Sequence, residues 1–213
     1  MRKIDKGQEP ESLSAFKRRH PLARYPDLSD TVRQEIRHTC AAEQFYLCAY
    51  CCQRISGTNE DTMNEHVEAQ DKAPNRTLDF NNLVASCLTP KQCDAAHGAQ
   101  SLPLTPLMPE CETELRFKLS GRVDGLTERA REAIRVLNLG DSEQNNKALV
   151  AKRKQLVDSL IWIWAHYGHG PQQLPQEEDS ELLQMLIDDL NQPQQGKLEP
   201  FAPVLVNILR SLL

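Results

Sequence analysis

The sequence predicts an α+β chain, mostly helical, in which a small zinc-stapled core is surrounded by N- and C-terminal helices. Three observations carry that expectation. Five of the seven cysteines fall within residues 48–98, among turn formers. Apolar stripes at helical spacing fill the C-terminal half. Aromatic residues make up only 5% of the 213 residues, too few for a barrel or a sandwich.

Residues 1–47 read as an arm followed by a helix. Pro10, Pro21 and Pro26 interrupt the arm and leave room for a short helix over 11–19, close to the basic cluster Lys17-Arg18-Arg19-His20. A second helix is expected over 29–47. Thr31 and Gln34 fit a capping box there, and Val32, Ile36 and Cys40 share one stripe. Residues 48–111 form the core. A hairpin is expected between 53–55 and 62–67 around Ser56-Gly57-Thr58-Asn59, with short helices starting near Asn82 and Cys93. Pro103, Pro106 and Pro109 make its end a wrapped loop.

Residues 112–170 read as a hairpin and a helical extension. Ser120-Gly121 joins 114–119 to 122–123, a helix runs over 127–139, and a longer one runs over 142–167. Asp141 or Ser142 caps the longer helix, and Gly168 and Gly170 stop it. Residues 171–213 begin with a polar linker over 171–181 and close with helices over 180–190 and 199–213, the second strongly apolar. Such a tail packs on its own core or docks a partner.

No apolar run reaches the length of a membrane span, and the N-terminal residues lack the apolar stretch of a secretory signal, so a cytoplasmic chain is expected. In a reducing compartment seven cysteines point to a metal site rather than to disulfides. The net charge of −5 argues mildly against a nucleic-acid partner. It is uneven, however. Residues 1–37 sum to +3, 38–111 to −5, 112–166 to +2 and 167–213 to −5. The charges of Arg129, Arg131, Arg135, Lys152, Arg153 and Lys154 are those of a solvated helix face, and Trp162 and Trp164 those of a core stripe. His166 and His169 mark a helix end.

The cysteine spacing is the strongest chemical signal. Cys48-Ala49-Tyr50-Cys51 is one tight turn, and Cys87 and Cys93 bound a second, wider one. Zinc takes four thiolates in a tetrahedron, and two such turns supply them. A redox dithiol at Cys48 and Cys51 is the competing reading, but that motif opens a helix after a strand, and here it follows a helix. Between the turns lies Glu65-His66. At a strand end such a pair splits between two faces, so that one side chain can bind a metal while the other takes a proton from water.

In this order, Cys-x2-Cys, Glu65-His66, Asn82-Leu83 and the second cysteine pair resemble HNH nucleases built on a zinc-stapled ββα-metal core. The segment ending in Leu47-Cys48-Ala49-Tyr50-Cys51, the run 78–87 and the hairpin at 114–124 resemble a bacterial subfamily. It includes the nuclease subunit of Septu-type anti-phage systems, some of them attached to retrons. The likeness covers residues 1–165, with its specific motifs in 48–98.

The resemblance implies a metal-dependent endonuclease. His66 stands at the general-base position and Glu65 at a metal-ligand position. Asn82 stands where an asparagine orients the base or touches the metal. Asp94 or His97 completes the metal shell, with His97 favoured because imidazole is the commoner third ligand; many members carry a histidine where Asp94 stands. Cys48, Cys51, Cys87 and Cys93 would hold structural Zn2+, and one Mg2+ or Mn2+ would serve the chemistry. The implied partners are a DNA or RNA substrate, an ABC-type ATPase subunit and, in retron-attached systems, a reverse transcriptase with its msDNA. A non-catalytic zinc module that binds nucleic acid or a protein is the alternative, and it needs neither Glu65 nor His66.

Overall fold

The computed structural model describes residues 1–142, 144–164 and 180–213, with the backbone alone at 163 and 164. Its architecture is α+β with two small antiparallel two-stranded sheets. Helix α1 (Glu11–Arg19) forms where expected. Helix α2 (Asp30–Glu43) is capped by Ser29, whose Oγ accepts the Val32 amide at 3.4 Å, rather than by Thr31. It stops short of residue 47 because Phe45 and Tyr46 take up left-handed backbone, φ 53° and 58°, and turn the chain into the first cysteine turn. Ile36, Cys40 and Ala41 form its buried face.

Strand β1 (Thr62–His66) pairs with β2 (Leu83–Cys87), Thr62 opposite Cys87 and His66 opposite Leu83. This corrects two expectations. Residues 53–55 do not pair with 62–67; Arg54 instead bridges back to Leu47 across the Cys48–Cys51 turn. No helix starts at Asn82, where a single 3-10 turn (Phe80–Asn82) feeds β2. All five residues of β2 are buried, so the strand carries no polar–apolar alternation to read. The Gln44 side chain takes the place of a third strand beside it. Its Nε2 donates to the Ala85 carbonyl and its Oε1 accepts the Ala85 amide, at 2.8 and 2.7 Å.

The four-residue helix α3 (Asp94–His97) opens directly after Cys93. Strands β3 (Leu115–Phe117) and β4 (Val123–Gly125) form the second hairpin as expected. Its turn needs Gly121, φ 81°, because a Cβ there would meet the Val150 carbonyl at 2.2 Å. Helix α4 (Glu128–Leu137) is capped by Thr127 and ends at left-handed Asn138. Helix α5 (Lys147–Trp164) starts later than expected, since Asn146 Oδ1 accepts the Leu149 amide at 3.2 Å and so takes the role assigned to Asp141 or Ser142. The continuation to Tyr167, the stop at Gly168 and Gly170, the linker up to residue 179, and His166 and His169 lie outside the described residues. The basic run 152–154 is not a uniformly solvated face: Lys152 and Lys154 are exposed, but Arg153 is buried.

Helices α6 (Ser180–Leu190) and α7 (Ala202–Arg210) pack through Leu183, Ile187, Val206 and Leu209. A continuous core joins Met1 and Ile4 to the first sheet, α4 and Ile208. Among the described residues no helix is long and apolar enough to cross a membrane.

A largely buried ion pair ties the N-terminal arm to this core. Lys6 Nζ lies 2.6 Å from Glu43 Oε2, donates to the Leu83 carbonyl at 3.0 Å and sits 3.6 Å from the Phe80 ring centre. Only 8% and 12% of the two side chains is exposed. Removing one partner strands the other charge, so Glu43→Ala should cost about 3–5 kcal/mol in chemical denaturation. Lys6→Met combined with Glu43→Leu should cost less than Glu43→Ala alone.

Candidate metal centre and adjoining carboxylate–imidazole cavity

The two cysteine turns meet. The sulfurs of Cys48, Cys51, Cys87 and Cys93 are buried and lie within 4.8 Å of one another, with Cys51 and Cys87 at 3.9 Å. Zinc–sulfur bonds of about 2.3 Å in a tetrahedron require sulfur separations of about 3.8 Å, so the set can hold a structural metal such as zinc. Donors already face the sulfurs: the Cys87 amide reaches Cys48 Sγ at 3.3 Å, and Gln92 Nε2 reaches Cys51 Sγ at 3.4 Å.

Electrostatics show why a cation suits the site. Burial drives the Cys51 and Cys93 thiols well above the usual range. Hydrogen bonds from the three neighbouring cysteines pull Cys87 far below it. Burial opposes a thiolate at Cys48 too, but hydrogen bonds from Cys51 and Cys93 outweigh it. A divalent cation that binds all four as thiolates takes the place of their protons and neutralises part of the charge.

The backbone delivers this centre to β1. Tyr50, inside the first turn, is fully buried, and its hydroxyl donates to Glu65 Oε1 at 3.1 Å. Asp94, next to Cys93, is in hydrogen-bonding contact with Glu65. Its amide donates to Ser86 Oγ at 3.3 Å. His97 Nδ1 lies 2.6 Å from Glu65 Oε1, and its Nε2 is buried without a partner among the described residues. Burial works against the Glu65 carboxylate, but the hydrogen bonds from His97, Asp94 and Tyr50 hold its pKa below the ordinary value. Burial and the neighbouring Glu65 charge push Asp94 up to about 8. Two carboxyls placed this close oppose each other's ionisation, and a divalent cation between them relieves that repulsion.

His66 follows on the next position of β1. Its Nε2 lies 3.0 Å from the Thr77 carbonyl, to which it donates, leaving Nδ1 as the basic nitrogen. Burial lowers its pKa, so the ring is neutral at neutral pH. The Tyr25 ring packs edge-on against it, centroids 4.9 Å apart at 85°, and Tyr25 Oη accepts from Asn64 Nδ2 at 2.8 Å. Tyr25, Asn64, Glu65, His66 and Asp94 line one cavity of about 400 Å³.

Glu65, His66 and Asp94 are thus brought together at one cavity. His97, favoured in sequence as the third ligand, stands behind Glu65 and is not on the cavity wall, whereas Asp94 is. Asn82 is spent on the backbone. Its Oδ1 accepts the Glu68 amide at 2.8 Å and its Nδ2 donates to the Glu68 and Arg76 carbonyls at 3.0 and 3.4 Å. It fixes the loop that carries Thr77 and therefore the His66 ring. Sequence reasoning missed Tyr25 and Tyr50. The position of Tyr50 between two metal-turn cysteines was the available signal for one; no local pattern marks the other. Comparison with known proteins finds no family model that matches this chain and no curated protein that matches it.

Proposed function

We propose that the chain is a metal-dependent endonuclease that hydrolyses phosphodiester bonds, with β1, β2 and α3 as a ββα-metal core stapled by zinc at Cys48, Cys51, Cys87 and Cys93. The observation that carries this reading is the shared cavity: the carboxyls of Glu65 and Asp94 line it beside His66, whose Nε2 is fixed by the Thr77 carbonyl, which leaves Nδ1 as the basic nitrogen. Glu65 and Asp94 would hold Mg2+ or Mn2+, which supplies positive charge for the scissile phosphate and the leaving oxygen. His66 Nδ1 accepts the proton of the attacking water, and Thr77 stabilises the imidazolium through the Nε2–H bond. His97 and Tyr50 orient Glu65, and Asn82 orients the Thr77 loop.

A second cavity of about 630 Å³ supports a strand-shaped substrate. It is lined by Lys17, His20, Arg24, Pro74, Thr77 and Asp79 among others, so Thr77 and the Arg24-Tyr25 step link it to His66. Its basic side chains come from the +3 block of an otherwise acidic chain. The exposed apolar residues Leu182 and Met185 on α6 support a protein partner, which in the resembling systems is an ABC-type ATPase. One observation favours the alternative zinc module: Glu65 is already satisfied by Tyr50, His97 and Asp94, as in a purely structural network.

The test is incubation of the full chain, alone and with the ATPase, with plasmid DNA and total RNA in Mn2+, Mg2+ or EDTA. Cleavage in the metal arms and none in EDTA is expected. In addition, Lys17→Glu combined with Arg24→Glu should raise KM by about tenfold or more with kcat little changed. No cleavage in any metal arm would favour the binding module.

A further inference from the structure

We propose that Arg153 is the internal counter-charge of the four-cysteine metal centre, so that α5 is held to the core by the metal it neutralises. The proposal rests on the reading of those cysteines as a metal site.

Arg153 is 1% exposed, the largest fully buried side chain among the described residues. A guanidinium carries five N–H donors and stays charged in proteins. Only Nη1 has a partner, the Leu139 carbonyl at 2.6 Å. Nε and Nη2 are buried with none among the described residues. The Phe117 ring lies 4.9 Å from Cζ and offers a weak cation–π contact. No carboxylate pairs with the group among the described residues. A buried cation so poorly paired needs an anion close by.

The cysteine centre is the buried anionic site that shares a loop with it. The turn after α4 holds both groups: the Leu137 carbonyl accepts the Cys93 amide at 2.9 Å, and two residues on the Leu139 carbonyl accepts Arg153. Thiolates at Cys51 and Cys93, two of the four ligands, would favour the charged guanidinium and oppose the depression that burial causes. Four thiolates on one divalent cation carry a net charge of −2. In a low-dielectric interior that charge needs compensation, and Arg153 is a cation placed to supply it. Amide donors supply hydrogen bonds to the sulfurs but no charge.

The test is metal affinity of the full reduced chain, read by competition for Zn2+ with a chromophoric chelator and by the thiolate-to-cobalt absorption of the Co2+ form. Arg153→Met keeps the bulk and removes the charge; it should bind about 10–100-fold more weakly. Arg153→Lys keeps the charge and should stay within about threefold of the wild type. Cys93→His makes the centre less negative by one charge, so the penalty of Arg153→Met should shrink in that background. Wild-type affinity in a folded Arg153→Met chain overturns the proposal. So does an undiminished penalty beside Cys93→His, which would assign Arg153 to packing. If Arg153→Met does not fold, Arg153→Lys decides: loss of metal from a folded Lys variant overturns the proposal, and retention supports it. Failure of the wild-type chain to bind Zn2+, or equal binding by Cys48→Ser, instead refutes the cysteine centre itself.

Discussion

His66→Ala is expected to lower the single-turnover cleavage rate by about 10²–10⁴-fold at saturating Mn2+. The size follows from the role. Nδ1 is the one basic nitrogen of the pair, since Nε2 is committed to Thr77. Stability should fall much less, by about 1–3 kcal/mol, because the variant loses one hydrogen bond and leaves the Thr77 carbonyl beside an open cavity that water can enter. Substrate affinity should hold, because the basic groove is untouched. A rate measured with a fixed excess of enzyme, alongside a thermal melt, separates the two effects. A wild-type rate would remove His66 from the mechanism.

The second large effect belongs to the metal centre. Cys87→Ser should leave the purified chain without stoichiometric zinc and lower its melting temperature by about 10–20 °C. Two consequences meet at that one sulfur. Cys87 ends β2 and lies 3.9 Å from Cys51 in the other turn, so losing it uncouples the strand from the 48–51 segment. Tyr50 and Asp94 then lose the turns that aim them at Glu65, and cleavage should vanish with the metal. Cys111→Ala is the control. Cys111 is equally buried but stands apart from the four, so its loss should leave metal content unchanged. Metal per chain by mass spectrometry and a circular-dichroism melt give both readings.

Local chemistry made part of this fold legible. The helix over 180–190, the hairpin around Ser120-Gly121 and the start of the helix expected from residue 127 are short-range features, and they form where spacing and turn residues put them. The grouping of Cys48, Cys51, Cys87 and Cys93 was equally legible, because thiolate spacing is nearly a geometric statement.

What failed was pairing at a distance. Strand 62–66 was expected to pair with 53–55 across a short turn; its partner, 83–87, follows a point read as a helix start, is buried throughout and shows no period. Helix ends failed for a different reason. Phe45 and Tyr46 leave the helix because the cysteine turn beyond them must close, a tertiary demand that overrides propensity. Arg153 is the clearest case: within a Lys-Arg-Lys run it reads as solvated, yet its position on α5 points it inward. At the cavity, sequence chemistry preferred the imidazole of His97 as third ligand. The structure puts Asp94 on the cavity wall and His97 Nδ1 against Glu65.

The central claim is that Glu65, at that cavity, serves a metal-dependent cleavage. Glu65→Gln keeps the shape and the Tyr50 contact but removes the charge that pairs with a cation. The deciding measurement is the cleavage rate of this variant on the nucleic acid that the wild type cuts, across a Mn2+ titration. The account predicts a loss of about 10²-fold or more at low Mn2+, partly recovered as the metal is raised. Cleavage at the wild-type rate with the wild-type metal dependence would contradict it.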